Sequence, residues 1–134
     1  YLDEYDVPYG YTPLLLARPE TIADGDALGD FLAASARGYQ FAVDNPDRAA
    51  EILGKTAEGM DNDAPDFLRE SQRELTDAYL TADGAWGTMT HDRWDAFVDW
   101  LAANDILTTV DDEPIPADEL PTSDLYTNEL LPEA

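Results

Sequence analysis

His91 is the single histidine of the chain, and cysteine is absent. An imidazole can serve as general base or metal ligand only beside a nucleophile to activate or further ligands to share the ion. With neither a thiol nor a second imidazole, His91 reads as a structural residue in the first turn of a helix. The missing cysteines also remove disulfides, thiolate nucleophiles and zinc–sulfur centres. The stretch Asp61-Asn62-Asp63 raises a calcium loop as a possibility. An EF-hand counted from Asp61 needs glycine at its sixth position and an acid at its twelfth; Asp66 and Gln72 stand there, so the stretch reads as a solvated loop. The chain has no glycine-rich phosphate loop and no serine elbow. The three tryptophans read as packing residues. No catalytic constellation, metal site or cofactor is expected from these residues.

Charge narrows the partners. Thirty Asp and Glu against seven Lys and Arg give a net charge of −23, so nucleic acid, which needs a basic footprint, is not an expected partner. Lys55 is the only lysine. Acid excess with lysine depletion resembles halophilic adaptation, in which carboxylates keep the surface hydrated in concentrated salt. The acids are dispersed between apolar periodic positions, as a solvated face requires, and are not blocked into one tail. In dilute buffer this surface repels itself, because the Debye length is ~10 Å at 0.1 M and ~3 Å at 1 M.

The elements that would position any site are mostly helical. Apolar residues make up 44% of the chain, enough for a core in a single domain spanning 1–134, and no apolar run approaches the ~20 residues that cross a bilayer. Leu14-Leu15-Leu16-Ala17, closed by Arg18-Pro19, is apolar on both faces and predicts a buried strand over about 11–17. Thr21 with Asp24 resembles a helix start, and Leu28, Phe31, Leu32, Ser35, Tyr39 and Ala42 predict a helix over about 24–44. Asn45-Pro46 predicts a new helix over 46–53 that Gly54 stops. Pro65 opens a helix over 65–79 carrying Phe67, Leu68, Ser71 and Leu75. Thr90 is a good N-cap for a helix over 91–104, with Trp94, Phe97, Val98 and Leu101 on one face. Residues 108–121 predict an extended exposed connection, and 124–131 a short segment docked on the helices. The expected fold class is therefore mainly α with one or two short strands.

The strand at 11–17 has no obvious partner strand in this sequence, and a resemblance supplies a reason. Tyr9-Gly10-Tyr11-Thr12-Pro13-Leu14-Leu15-Leu16-Ala17, then Phe31-Leu32-Ala33-Ala34-Ser35-Ala36-Arg37-Gly38-Tyr39, then Asn45-Pro46-Asp47-Arg48-Ala49-Ala50 together resemble the second half of ABC-importer substrate-binding proteins. The branch is the group binding nitrate, sulfonates such as taurine, and thiamine pyrimidine precursors. Trp86-Gly87-Thr88-Met89 with Arg93-Trp94, and Leu125-Tyr126-Thr127-Asn128-Glu129-Leu130-Leu131-Pro132, are similar to that group's C-terminal segments. The resemblance runs nearly the whole chain; its strength lies in order and spacing rather than in one motif.

The resemblance implies a parent α/β fold of two lobes around a ligand cleft, the type II periplasmic-binding-protein architecture. On that reading the chain is a C-terminal part, and residues 11–17 return to a sheet built from upstream sequence. It implies a solute-binding component working with ABC permease subunits at the extracellular face of the membrane, held there by an upstream anchor or by the permease. It further implies that Tyr9, Gly10, Tyr11 and Thr12 border the small-molecule solute at the hinge. Tyrosine offers a flat face and a hydroxyl, and glycine permits close backbone approach. An enzyme branch of the same fold, the thiamine-pyrimidine synthases, uses a cysteine-rich segment just before this strand. The corresponding place here reads Tyr9-Gly10-Tyr11-Thr12, which favours binding over catalysis. A helical interaction domain without a small ligand is the remaining alternative. An unpaired apolar strand is also a template for pairing with another chain, so residues 11–17 are expected to pair with a second copy, giving a dimer, or to lie against the chain's own C-terminal segment.

Overall fold

Three- and four-residue apolar spacing produces helices, and helices dominate the computed structural model, which describes residues 2–8, 11, 13–56 and 66–133. Among the described residues there are five α-helices: α1 (Pro19–Asp24), α2 (Asp26–Asp44), α3 (Pro46–Thr56), α4 (Asp66–Leu75) and α5 (His91–Ala103). Short 3₁₀ turns occupy Leu2–Tyr5, Thr76–Ala78, Ala117–Glu119 and Thr122–Asp124. The only β pairing among the described residues is an isolated antiparallel bridge between Thr108 and Pro114. The fold class is mainly α, as the sequence predicts. The chain divides into two compact units, Tyr1–Arg18 with Met89–Glu129, and Pro19–Thr88 with Leu130–Ala134.

The second of these units holds α1 to α4. The helix expected from about 24 opens earlier, with Pro19 in the first turn of α1, where its missing N–H costs nothing. It then breaks at Gly25, whose φ of 66° lies in the left-handed region. A Cβ at Gly25 would also stand 3.4 Å from Leu130 Cδ2, so glycine serves both the turn and the packing. Asn45 ends α2: its amide nitrogen and its side-chain Nδ2 both donate to Phe41 O, at 2.9 and 3.2 Å. Pro46 starts α3 as expected. Gly54 does not stop that helix; α3 runs to Thr56, whose hydroxyl donates back to Ile52 O at 2.8 Å. Gly54 is instead buried one turn from Ala50, so small residues here make room for packing rather than a C-cap.

Helix α4 packs on α3, and Arg73 Nη2 reaches Asp47 Oδ1 at 2.7 Å across that contact. The helix expected over 65–79 ends at Leu75 and tightens into the 3₁₀ turn Thr76–Ala78; Pro65 lies outside the described residues. Beyond it, Tyr39 of α2 stacks on Trp86 (centroids 5.2 Å apart) and meets Tyr79 edge-on (5.1 Å). The turn at 81–85 is closed by Thr81 N–H donating to Ala85 O at 2.8 Å.

The first unit is built on α5. Asn104 caps it, and Asp105, at φ 55°, takes the left-handed position after the cap. Ile106 N–H then donates to Leu101 O at 2.9 Å and Asp105 N–H to Ala102 O at 3.2 Å, the two bonds of a Schellman ending with aspartate in the place glycine usually takes. The connection expected to be extended and exposed over 108–121 folds back on itself. Thr109 N–H donates to Glu113 O and Ile115 N–H to Leu107 O, and the turn Ala117–Glu119 packs on α5.

The run expected as a strand does not form one. Residues 14–18 carry no regular assignment and no ladder, and Leu14, Leu15 and Leu16 are exposed at 42, 59 and 92%. A strand is stabilised by its partners, and none is contributed by the described residues. Burial is thin elsewhere too: the buried apolar residues among those described are Ala50 and Val98.

Candidate functional site

Three segments distant in sequence converge on the first turns of α5. The first carries Tyr11. Thr90 has the extended backbone of an N-cap (φ −120°, ψ 148°), yet its side chain makes no capping bond. The Tyr11 hydroxyl takes over: it accepts the Thr90 N–H at 2.8 Å and lies 3.3 Å from Thr90 Oγ1. A helix leaves its first N–H groups without intrahelical partners, and a distant phenol here satisfies one at the cap. The Tyr11 ring sits 5.9 Å from the Trp94 ring, tilted by 43°, with the Arg93 guanidinium carbon 4.4 Å from its centroid.

The second segment is the C-terminal stretch. Tyr126 stacks on Trp94, with centroids 6.1 Å apart and planes 12° apart. Trp94 thus lies between two tyrosines from opposite ends of the sequence, and its Nε1–H is buried without an acceptor among the described residues. Asn128 clamps the residue before the cap at two points. Its Oδ1 accepts Met89 N–H at 3.1 Å and its Nδ2 donates to Met89 O at 2.8 Å. One amide side chain thereby does what a neighbouring strand's backbone would do.

The third is the turn Thr122–Asp124. Thr122 is buried, and its hydroxyl donates to Asp95 Oδ1. His91 Nδ1 lies 3.1 Å from Thr122 Oγ1 and His91 Nε2 lies 3.3 Å from Asp95 Oδ2. The Thr122 proton goes to the carboxylate and not to the imidazole. That order is the reverse of a nucleophile relay, in which the imidazole takes the hydroxyl proton. His91, Asp95 and Thr122 thus form one polar cluster at the first turns of α5. An open groove of about 300 Å³ runs beside it, lined by Asp95, Asp99, Asp118 and Ser123 among others.

Of the four residues expected to border a solute, Tyr11 is described; Tyr9, Gly10 and Thr12 lie outside the described residues, as does Asp61-Asn62-Asp63. Tyr11 is engaged through its hydroxyl and its ring. Sequence reasoning missed Arg93, Asn128, Tyr126 and Thr122 as its companions around α5. Thr90, as a cap, and Trp94, on the apolar face, gave a local signal, while Arg93, Tyr126 and Asn128 stood out only as parts of the stretches that carry the family resemblance.

Comparison with known proteins bears on what such a unit belongs to. A family model described as NMT1/THI5 like matches residues 1–49. The formylaminopyrimidine-binding protein of Halalkalibacterium halodurans is 27% identical over 122 residues, which is 87% of this chain and 34% of that protein. This chain resembles the substrate-binding proteins of the NMT1/THI5-like group. It spans about a third of the length of the relative it matches. No solved structure matches. The family-model match includes Tyr11.

Proposed function

We propose that this chain is part of a solute-binding protein that delivers a small molecule to the permease subunits of an ABC importer, and that it is not an enzyme. The observation that carries the reading is the likeness to a formylaminopyrimidine-binding protein across 87% of the chain. The solute class favoured is a pyrimidine precursor of thiamine, with sulfonates and nitrate as the competing ligands of the group. The synthase alternative needs the reactive thiols of its cysteine-rich segment, and this sequence has none.

In this reading Tyr9, Gly10, Tyr11 and Thr12 border the solute. Tyr11, with its hydroxyl on Thr90 and its ring against Arg93 and Trp94, holds the segment in place and offers its remaining edge. Tyr9 and Thr12 supply the polar contacts, and Gly10 admits the solute close to the backbone. Capture takes place at the extracellular face of the membrane in concentrated salt, where a net charge of −23 is screened over ~3 Å at 1 M.

Calorimetry on the full-length gene product in concentrated salt tests the reading, with formylaminopyrimidine, taurine and nitrate as titrants. Saturable binding of the pyrimidine, weakened by Tyr9→Ala or Thr12→Ala, is the expected result. Absence of binding to all three titrants by a folded protein refutes it, as does conversion of any titrant to a new product. A salt titration followed by circular dichroism checks the halophilic part: helical signal and cooperativity should fall as salt is withdrawn, and undiminished cooperativity in dilute buffer refutes it.

A further inference from the structure

The segment that carries Tyr11 has no backbone scaffold of its own. Residues 7, 8, 11 and 13–17 lie in neither helix nor strand. Among the described residues, the hydrogen bonds that tie this stretch to the rest of its unit are those of the Tyr11 hydroxyl to Thr90. A loop without a ladder is placed by the side chains that anchor it, and only as firmly as those side chains are themselves held.

The hydroxyl fixes one end of Tyr11, and a ring held at one point can still swing. Packing at the head of α5 limits that motion. The Trp94 ring lies 5.9 Å away, tilted by 43°, and the Arg93 guanidinium carbon lies 4.4 Å from the Tyr11 centroid. An arginine side chain is long and rich in rotamers. Trp94 is the stiffer wall, because its backbone belongs to the helix and its ring turns on only two torsions.

Trp94 depends in turn on a neighbour. Its Nε1–H is buried without a hydrogen-bond acceptor among the described residues, so no polar bond sets the orientation of the indole. Tyr126 sets it by stacking, with planes 12° apart and centroids 6.1 Å apart. All three rings belong to one compact unit.

We propose that Trp94 and Tyr126 are positioning residues for the solute: Tyr126 orients Trp94, Trp94 orients Tyr11, and Tyr11 places residues 9–12. Their role rests on the reading that residues 9–12 border the solute. A segment in its competent position only part of the time binds more weakly by that fraction. A ring one contact removed from Tyr11 thereby sets the affinity.

Calorimetry on the full-length gene product in concentrated salt is the test, with formylaminopyrimidine, taurine and nitrate as titrants. Tyr126→Ala should raise the dissociation constant of the titrant that binds about threefold to tenfold. Tyr126→Phe keeps the ring and should leave the constant at the parent value. Tyr126→Leu keeps apolar bulk without a stacking face; it should behave as the alanine protein does, and it serves in its place if that protein does not fold. In a Tyr11→Ala background either substitution should change the constant no further, because the ring it acts through is gone. Thr81→Val is the control: it removes the hydroxyl that closes the turn at 81–85, costs stability, and should leave affinity unchanged. An affinity indifferent to both Tyr126→Ala and Tyr126→Leu overturns the positioning role and leaves the solute-binding reading standing. So does a loss that persists in full without Tyr11, or one that Thr81→Val shares. A folded parent protein that binds none of the three titrants overturns the solute-binding reading, and the positioning role with it.

Discussion

Replacing Tyr11 by Phe removes one oxygen and leaves the ring, which isolates the contribution of the phenol at the head of α5. That oxygen accepts Thr90 N–H at 2.8 Å and lies 3.3 Å from Thr90 Oγ1. A lost N-cap costs ~0.5–2 kcal/mol and a net hydrogen bond ~0.5–1.5 kcal/mol; these describe the same interaction and count once. Thr90 is exposed, so water partly replaces the phenol, and Tyr11→Phe is expected to cost ~0.5–1 kcal/mol. Tyr11→Ala also forfeits the aromatic pair with Trp94 (~0.5–1.5 kcal/mol) and the Arg93 contact (~0.5–1 kcal/mol), for a total of ~2–3 kcal/mol. Urea unfolding in concentrated salt, read by fluorescence with Trp86→Phe as background, reports on Trp94 and Trp100 of α5. Amide exchange at Thr90 provides the local readout. A Tyr11→Phe protein within ~0.3 kcal/mol of its parent, with the Thr90 amide exchanging no faster, refutes the capping role.

Thr122→Val leaves Asp95 and His91 without their shared hydroxyl and should cost ~1–3 kcal/mol in the same assay, with Thr122→Ser recovering most of it. Asn128→Ala should expose both Met89 backbone groups and speed exchange at the Met89 amide, while Asn128→Asp keeps the acceptor and loses the donor to Met89 O. The Thr81 hydroxyl, 2.5 Å from Asp83 Oδ1, holds the Asp83 carboxyl below its ordinary range, and the Arg48 hydrogen bond does the same for Glu51. A lowered folded-state value means that the stabilisation is present above the ordinary carboxylate range and lost as pH falls through the lowered one. Thr81→Val should therefore flatten the acid limb of the stability–pH curve. Gly87→Ala should destabilise, because Gly87 sits at φ 78° and a Cβ there would stand 3.2 Å from Leu131 Cδ2.

What the sequence disclosed is what local physics determines. The faces of α2 and α5 follow from spacing, and Asn45-Pro46 marks the α2–α3 joint because proline cannot continue one helix but can begin another. Gly54 misled because a glycine's two uses, left-handed cap and small packing residue, look alike until the neighbour is known. Here Gly54 is buried one turn from Ala50. The break at Gly25 was hidden for the converse reason: a single glycine inside a periodic stretch is tolerated often enough that periodicity outweighs it. Leu14-Leu15-Leu16 reads as a strand by composition, but composition cannot supply the partner strand that makes an extended run into one.

The cluster around α5 was illegible for a deeper reason. Tyr11 and Thr90 are 79 residues apart, Asn128 and Met89 39, and Thr122 and His91 31, so no local pattern links them. Two of these bonds also substitute an unexpected group for the usual one: a phenol for a capping hydroxyl and an amide side chain for a strand's backbone. Such substitutions arise where tertiary contacts carry what local sequence would otherwise have to supply. The head of α5 is accordingly held by three separate segments, and loosening any one leaves the other two in place. Single substitutions there should act nearly independently where their partners differ, as with Tyr11 on Thr90 and Asn128 on Met89. They should couple where a partner is shared, as Tyr11 and Tyr126 share Trp94. A double-mutant cycle separates the two cases. Tyr11→Ala with Tyr126→Ala should deviate from additivity by ~0.5 kcal/mol or more, whereas Tyr11→Phe with Thr122→Val should add within about 0.3–0.5 kcal/mol. Additivity in both pairs would mean that Trp94 packs against each tyrosine separately and that the cluster is three unrelated contacts rather than one site.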